Sequence, residues 1–114
     1  MRTLIICYSY HHDNTLKIAR AMSDILNAEL RSPEEVDPQT VPEKYDLIGF
    51  GSGIYAGRHA ISLLTFAEKL PTAAKNAFIF STHAVKNVLF YHKSLRGRLE
   101  KKGYTVLDEF SCQG

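Results

Sequence analysis

The chain changes from apolar to polar near its start, in the stretch Leu4-Ile5-Ile6-Cys7-Tyr8-Ser9-Tyr10-His11-His12-Asp13-Asn14-Thr15. The apolar half predicts a buried strand, and the helical periodicity that begins at Leu16 predicts that the polar half turns into a first helix. Such a turn presents hydroxyls, an amide side chain and free backbone N–H groups at a helix N-terminus, which are the groups that hold a phosphate. The stretch therefore predicts a strand–helix unit with a phosphate-binding turn.

Plain N-capping by Asp13, Asn14 or Thr15 is the alternative explanation of this turn, since any helix can show it. Capping accounts for one residue, whereas the turn gathers serine, two histidines, aspartate, asparagine and threonine directly after a buried strand. We therefore expect phosphate binding. Asp13 opposes it because a carboxylate repels a phosphate, and His11 and His12 could offset that repulsion when protonated.

Length and composition exclude several classes of function. The 114 residues suit one domain that spans the whole chain, 1–114, with enough residues for a core. The formal net charge is only +2 and no dense basic run occurs, so nucleic-acid binding has little support. No signal peptide and no apolar stretch of membrane-spanning length is legible, so we expect a cytoplasmic protein that does not enter a membrane. The two cysteines should be reduced thiols, and no metal site is expected.

Predicted strands and helices alternate along the chain. The five predicted strands are 3–8, 28–31, 47–51, 77–81 and 105–111. The predicted helices are 14–27, 59–70 and 89–102, with one more helical turn at 33–35 that Ser32 could cap. The first, third and fourth strands are nearly continuous apolar runs, which is typical of parallel strands buried on both faces. The pattern predicts an α/β fold, a doubly wound three-layer sandwich around a five-stranded parallel sheet, with Asp108 and Glu109 on an edge strand.

Three loops leave the carboxyl ends of the predicted strands, where doubly wound folds bind their ligands. Besides the first turn, they are residues 52–58 and 82–88. The loop at 52–58 contains Gly53 and Gly57, which let the backbone approach a flat ligand, and Ile54 and Tyr55 could stack on a planar heterocycle. The alternative is that Tyr55 turns inward as a lid on the core.

The third loop opens with Ser81-Thr82-His83, whose polar groups could bond the edge of a ring or a ribityl chain, although ordinary turn chemistry explains them as well. The sequence shows no Ser–His–Asp or Cys–His combination of the kind that forms a nucleophilic active site. Glu109 has no partner that the sequence identifies, and His92 is interpreted as a helix-face residue without a special role. Any chemistry would therefore be carried by a cofactor.

At these residues the chain resembles the flavodoxin family. The phosphate loop of that family reads hydroxyl-x-x-x-Gly-Asn-Thr, and residues 9–15 follow it with Asp13 in place of the glycine. Residues 46–55 are similar to the first loop around the isoalloxazine ring, and residues 80–82 to the second. The resemblance covers the whole chain. It implies the flavodoxin-like strand order 2-1-3-4-5 and non-covalently bound FMN that transfers one or two electrons.

The resemblance also implies a role for each matching residue. In the first turn, Ser9, His12, Asn14 and Thr15 would hold the phosphate. On one side of the ring would lie Ser52, Gly53, Ile54 and Tyr55. The implied FMN site as a whole is Ser9, His11, His12, Asp13, Asn14, Thr15, Ser52, Gly53, Ile54, Tyr55, Thr82 and His83.

Three departures from the family pattern shape the expectations about partners. Asp13 replaces a glycine, His83-Ala84 replaces a small stretch with glycine, and the chain stops at Gly114, where relatives continue into a last helix. With that helix absent, part of the sheet would be bare, and an apolar patch of several hundred Å² is unusual on a monomer. We therefore expect a homodimer that buries this face, or a helix supplied by another chain, besides a redox partner protein.

Two further functions remain possible alternatives to an FMN-dependent electron carrier or small oxidoreductase component. One is a flavodoxin-fold binding or assembly module that has lost FMN, which Asp13, His83 and the short C-terminus favour. The other is a phospho-signalling receiver, which needs acidic residues where Ser9 and Gly51-Ser52 stand, and which we discount for that reason.

Overall fold

A computed structural model of the chain describes residues 1–9, 14–55, 57–83 and 91–113. The strands are β1 Thr3–Tyr8, β2 Glu29–Arg31, β3 Leu47–Tyr55, β4 Arg58–His59, β5 Asn76–His83 and β6 Thr105–Gln113. The α-helices are α1 Thr15–Leu26, α2 Val41–Lys44, α3 Ile61–Lys69 and α4 Lys93–Lys101, and short 3-10 helices cover Pro33–Glu35 and Pro38–Thr40. The alternation of strands and helices is as predicted, while α2 and the second 3-10 helix are additions.

The sheet has the order β2-β1-β3-β5-β6, and all of these strands are parallel. This confirms the predicted strand order, and it places β6, which carries Asp108 and Glu109, at an edge. The short β4 pairs antiparallel with the end of β3. The predicted loop at 52–58 is therefore largely a hairpin, in which Gly57 adopts a φ of +78° that most residues avoid.

Side chains of successive strand residues alternate between two cores, one on each face of the sheet. Leu4 and Ile6 of β1 point into a core that α3 and α4 cover. Ile5 and Cys7 point into a second core beneath α1. Helices thus lie on both faces of a central sheet, as the predicted three-layer sandwich requires.

Two predicted helix signals have the expected geometry. Ser32 forms a capping box with Glu35 at the start of the first 3-10 helix. Gly103 follows α4 with a φ of +93°, and a Cβ there would lie 2.9 Å from the carbonyl oxygen of Ala73. Glycine is therefore required at this position, both for the backbone conformation and for the close packing of the chain after α4.

The face beneath α1 is less completely covered than the other. A groove of about 260 Å³ runs beside the helix, lined by Met22, Leu26, Leu47, Phe78, Leu107, Asp108 and Phe110. Leu107 is 60% exposed and Leu26 is 43% exposed. None of the helices in the described ranges is long and apolar enough to span a bilayer.

Candidate functional site

The register of the sheet brings the three predicted ligand loops to one edge. Tyr8 at the end of β1 lies opposite Ser52 of β3. Ser52 in turn lies opposite Ser81 of β5, and Gly53 lies opposite Thr82. The carboxyl ends of β1, β3 and β5 therefore lie at one edge of the sheet, and the three predicted ligand loops follow these strand ends in the sequence.

The start of α1 is tied to the end of β5. Thr15 is the first residue of α1 and is buried, and its Oγ1 lies 2.6 Å from Oγ1 of Thr82. Asn14 precedes the helix with φ −81° and ψ −6°, and its side chain makes no capping hydrogen bond. The first turn of α1 contains no acidic residue. Capping by Asn14 therefore does not explain this turn.

The remaining residues of the predicted phosphate turn are only partly visible. Ser9 lies at the end of β1 and lines a cavity of about 310 Å³ together with Arg20 and Arg31. His11, His12 and Asp13 lie outside the described residues. Their predicted roles stay predictions.

The β3–β4 hairpin presents the predicted ring-flanking residues. Ile54 pairs with His59, and Tyr55 pairs with Arg58. Tyr55 is 36% exposed and meets the ring of Tyr8 edge-on, with 6.4 Å between the ring centroids. The side chain is thus not buried as a lid on the core. A cavity of about 430 Å³ adjoins the hairpin, lined by Tyr8, Glu34, Tyr55, Arg58, His59, Ala60, Ile61 and Ser62.

The hydroxyl of Ser52 is engaged inside the hairpin. Its Oγ donates to the carbonyl oxygen of Gly53 at 2.7 Å and accepts from the backbone N–H of Ala60 at 3.0 Å. Ser52 is fully buried. In this structure the hydroxyl therefore closes the base of the hairpin.

A buried polar network that the sequence did not reveal lies directly behind these loops. His92 is fully buried, its Nε2 is 2.7 Å from Oγ of Ser81, and its Nδ1 is 3.1 Å from Oε1 of Glu109. Arg96 donates to the other carboxylate oxygen of Glu109 at 2.6 Å. Because a carboxylate only accepts, Nδ1 of His92 carries the proton and Nε2 accepts the Ser81 hydroxyl. Burial lowers the pKa of His92, and Glu109 partly opposes that effect.

A second histidine contacts this network. His59 is fully buried, and its Nε2 donates to the carbonyl oxygen of Phe80 at 2.9 Å. Its ring lies 4.8 Å from the ring of His92. The pKa of His59 is lowered to about 4, chiefly because burial penalises the charged ring, and secondarily because His92 is close; the Phe80 carbonyl opposes the shift. In both histidines burial therefore favours the neutral imidazole.

The contacts of Ser81, His92 and Glu109 follow the order of a Ser–His–carboxylate triad, but the serine is not placed to attack a substrate. Ser81 is 1% exposed, and its hydroxyl also lies 2.7 Å from Oγ of Ser111. A nucleophile has to reach its substrate, which this buried serine cannot, so the trio instead joins β5, β6 and the start of α4. In the described part of the chain, no group of three potential ligands could hold a metal ion.

The interpretation of His92 as a helix-face residue without a role was wrong, and Glu109, for which the sequence identified no partner, pairs with His92 and Arg96. The parallel pairing of β5 with β6 places Ser111 opposite Ser81, and a register shift between Ala77 and Phe78 sets the position of Glu109. These contacts depend on strand register, which no local pattern encodes. The one signal in the sequence was polar residues in strands that are otherwise apolar.

Comparison with known families agrees with this architecture. A family model described as flavodoxin domain matches residues 5–113. The match spans nearly the whole chain, and the chain belongs to the flavodoxin family.

Individual relatives resemble the chain over its full length. An uncharacterized protein of Methanocaldococcus jannaschii is 46% identical over 115 residues, which cover 100% of this chain and 76% of the relative. Oxidised flavodoxin 2 from Bacillus cereus superposes with a TM-score of 0.76 at 19% identity, covering 99% of this chain and 84% of that one. A flavoprotein from Lactobacillus acidophilus, solved in complex with FMN, gives a TM-score of 0.72 at 20% identity, covering 96% and 92%. At such identities the solved structures show a common fold.

Proposed function

We propose that the chain binds FMN non-covalently between its three loops and transfers electrons through it. The observation that carries the proposal is the hydrogen bond between Thr15 and Thr82, which joins the N-terminus of α1 to the end of β5. This hydrogen bond holds the N-terminus of α1, where an anion can bind, close to the strand end after which one of the proposed ring-binding loops begins. The L. acidophilus flavoprotein of the same fold is in complex with FMN.

The residues at the start of α1 suit a phosphate. The Asn14 side chain does not cap the helix, and no acidic residue occurs in the first turn of α1, so none of these described residues neutralises the positive end of the helix dipole. In this proposal Ser9, His11, His12, Asn14 and Thr15 bind the phosphate, and the Asp13 carboxylate weakens that binding.

The hairpin and the loop after β5 would hold the ring. Gly53, Ile54 and Tyr55 would flank one side, with Ser52 holding the hairpin closed from within. Thr82 and His83 would close the other side. FMN, when bound, supplies one- and two-electron transfer, while the residues of the chain bind it, orient it and exclude water from its ring.

Electrons would be exchanged with a redox partner protein in the cytoplasm, with the chain acting as an electron carrier or as the FMN-dependent component of an oxidoreductase. Tyr55 supports this role because it is 36% exposed, so a ring stacked on it would have an edge near the surface. Electron exchange between proteins requires such an approachable edge.

We also propose a homodimer through the groove beside α1. Leu107, Leu26 and Phe110 line an apolar strip at the edge of the sheet, of the kind that buries itself against another chain. Light scattering of the purified chain should give twice its mass of 12.9 kDa. A monomer of ordinary stability would overturn this part of the proposal.

The alternative function is a flavodoxin-fold binding module without FMN. It is favoured by the hydroxyl of Ser52, which donates to the carbonyl oxygen of Gly53 rather than being available to a ligand. A titration that follows flavin fluorescence and visible absorbance separates the two. Saturable binding with Kd near or below about 1 μM, roughly −8 kcal/mol, supports the electron carrier. Absence of binding up to about 1 mM FMN, roughly −4 kcal/mol, supports the binding module without FMN. Asp13→Gly should tighten FMN binding only if the carrier proposal holds.

A further inference from the structure

We propose that the cavity between the β3–β4 hairpin and the start of α3 is a second small-molecule site, which binds a planar aromatic molecule through a single carboxylate. The cavity has a volume of about 430 Å³, which is typical of ligand pockets. The proposal goes beyond FMN binding and does not depend on it.

This cavity lies on the other face of the sheet from the proposed phosphate site. It is lined by the start of α3, a helix that packs on the core containing Leu4 and Ile6. The proposed phosphate site is at the start of α1, which packs on the core containing Ile5 and Cys7. Among the described lining residues, Tyr55 is the one that also belongs to the proposed FMN site. The two ligands would therefore lie on either side of the β3–β4 hairpin.

The apolar part of the lining suits a flat ring. Tyr8 and Tyr55 meet edge-on, with ring planes at 86° and centroids 6.4 Å apart. Two rings at such an angle form a corner, in which an aromatic ligand can stack on one ring and meet the edge of the other. Ile61 adds an apolar side chain that is 65% exposed at the start of α3. An occupant of the cavity would remove part of this side chain from water.

The polar part of the lining contains two buried atoms without a hydrogen-bond partner, Nδ1 of His59 and Oγ of Ser62. They are the two such side-chain atoms in the described part of the chain, and both belong to residues of this cavity. His59 is fully buried, and because its Nε2 donates to Phe80, Nδ1 is a bare acceptor. Buried polar groups normally have partners, so this wall is incomplete without an occupant.

The start of α3 provides donors for an anion. Its N-cap is Ala60, whose methyl side chain cannot cap, and no acidic residue occurs in the first turn. The N–H groups of Ile61 and Ser62 come at the helix end, where the helix itself gives them no partner. Because the Ser62 hydroxyl has no partner in its present rotamer, turning it toward a ligand loses no hydrogen bond.

The charges of the lining favour a carboxylate over a phosphate. Arg58 and Glu34 are both exposed and contribute one charge of each sign. A guanidinium binds a carboxylate through two parallel hydrogen bonds. Glu34 would repel the second charge of a phosphate, whereas a single negative charge is balanced by Arg58 and the helix N-terminus. The ligand class is therefore the aromatic monocarboxylates.

Benzoate is the smallest probe of this class. Titrated into the chain without FMN and followed by the amide signals in NMR spectra, it should shift Ile61 and Ser62 saturably, with Kd below about 1 mM. Benzamide has the same shape without the charge, and it should bind about tenfold more weakly because hydrogen bonds to charged groups are the stronger ones. Equal binding of benzamide, or no saturation by benzoate up to about 10 mM, would overturn the site.

A pair of arginine variants separates the site from a general attraction of anions. Arg58→Gln removes the guanidinium from the cavity and should weaken benzoate binding about tenfold. Arg20→Gln is the matched control, because it removes the same charge from an exposed position in α1 on the other face of the sheet. An equal loss of affinity in the two variants would contradict the assignment.

A pair of serine variants separates ligand binding from folding. Ser62 is the second residue of α3, and Ser94 is the second residue of α4, where its hydroxyl accepts from Arg98. Ser62→Ala should weaken benzoate binding about tenfold without lowering the thermal midpoint, because its hydroxyl has no partner among the described residues to lose. Ser94→Ala should leave benzoate binding unchanged. Binding by Ser62→Ala that equals the wild type would contradict the role of the hydroxyl.

FMN distinguishes this site from the proposed flavin site. If the chain binds FMN, benzoate should not compete with it, since the two ligands lie on either side of the hairpin. Competition would place benzoate in the flavin site and overturn the second site. If the chain binds no FMN, the proposed function fails, and the amide shifts of Ile61 and Ser62 still decide whether the second site exists.

Discussion

The two faces of the sheet come from the same strands but are covered to different extents. On one face α3 and α4 enclose Leu4, Ile6 and Phe50 completely, and the histidine network lies within this layer. On the other face α1 is the one helix in the described part of the chain that covers Ile5 and Phe80, and an apolar groove lies beside it. An apolar run in the sequence therefore predicts that both faces of a strand are buried. It does not predict which helix, or which other chain, covers each face.

A matched pair of leucines should show the largest difference between the faces. Leu99 of α4 is fully buried, whereas Leu107 of β6 is 60% exposed. We expect Leu99→Ala to lower the free energy of unfolding by about 3 kcal/mol, through lost burial and a cavity. Leu107→Ala should cost less than about 0.5 kcal/mol in the monomer.

Urea denaturation of both variants measures this difference. If the groove is a dimer interface, the cost of Leu107→Ala rises with protein concentration, since dimerisation adds to stability by mass action. A large cost of Leu107→Ala that is independent of concentration would contradict the contrast between the faces.

Acid should destabilise the face that carries the histidines. The folded pKa of His59 is about 4, below its usual 6.5, because the ring is buried. Between these values the unfolded chain binds a proton that the folded chain does not, so stability falls as the pH drops below 6.5. The loss is complete below about 4 and amounts to about 3 kcal/mol.

Denaturation at a series of pH values tests this prediction. His92 adds a loss in the same direction, because burial lowers its pKa as well. In His59→Gln, whose amide can still donate to Phe80, the pH dependence should become shallower. An equally steep curve in this variant would assign the acid sensitivity to other groups.

Two glycines, Gly51 packed against the α1-side core and Gly97 in α4 on the other side, sharpen the comparison. A Cβ at Gly51 would lie 2.0 Å from the ring of Phe80, whereas nothing lies within 4 Å of a Cβ at Gly97 of α4. Gly51→Ala should therefore cost about 1–3 kcal/mol, because Phe80 must move. Gly97→Ala should stabilise by up to about 1 kcal/mol, since alanine favours a helix. Thermal unfolding of the two variants should move in opposite directions.

The smallest expected effect is at the edge of the sheet where we propose that FMN binds. There the side chains of two neighbouring β5 residues point to opposite faces of the sheet. Thr82 bonds Thr15 on the α1 side, and Ser81 bonds His92 on the other. Thr15→Val removes the first bond and should weaken FMN binding about tenfold, near 1.4 kcal/mol. Thr65→Val in α3 is the control, and an equal loss in that variant would show a general effect on the fold.

Much of the fold was predictable because its signals are local. The apolar run at Ile48 and Phe50, the Ser32 cap and the stop at Gly103 each depend on residues close in the chain. The hairpin was not predicted, because Ile54 and Tyr55 extend β3 by pairing with His59 and Arg58, which the local sequence pattern does not show. Tyr55 is 36% exposed, so it is not the lid on the core that was the alternative interpretation of its loop, and the hydroxyl of Ser52 is engaged in the hairpin.

The sequence by itself determined the alternation of strands and helices, the parallel sheet and the edge at which the loops gather, because periodicity and turn residues act over a few positions. Only the tertiary structure decided that Ser81, His92 and Glu109 meet. The first two are 11 residues apart and the last two are 17 apart. Their contacts arise from strand register and helix placement, which the packing of the whole chain sets.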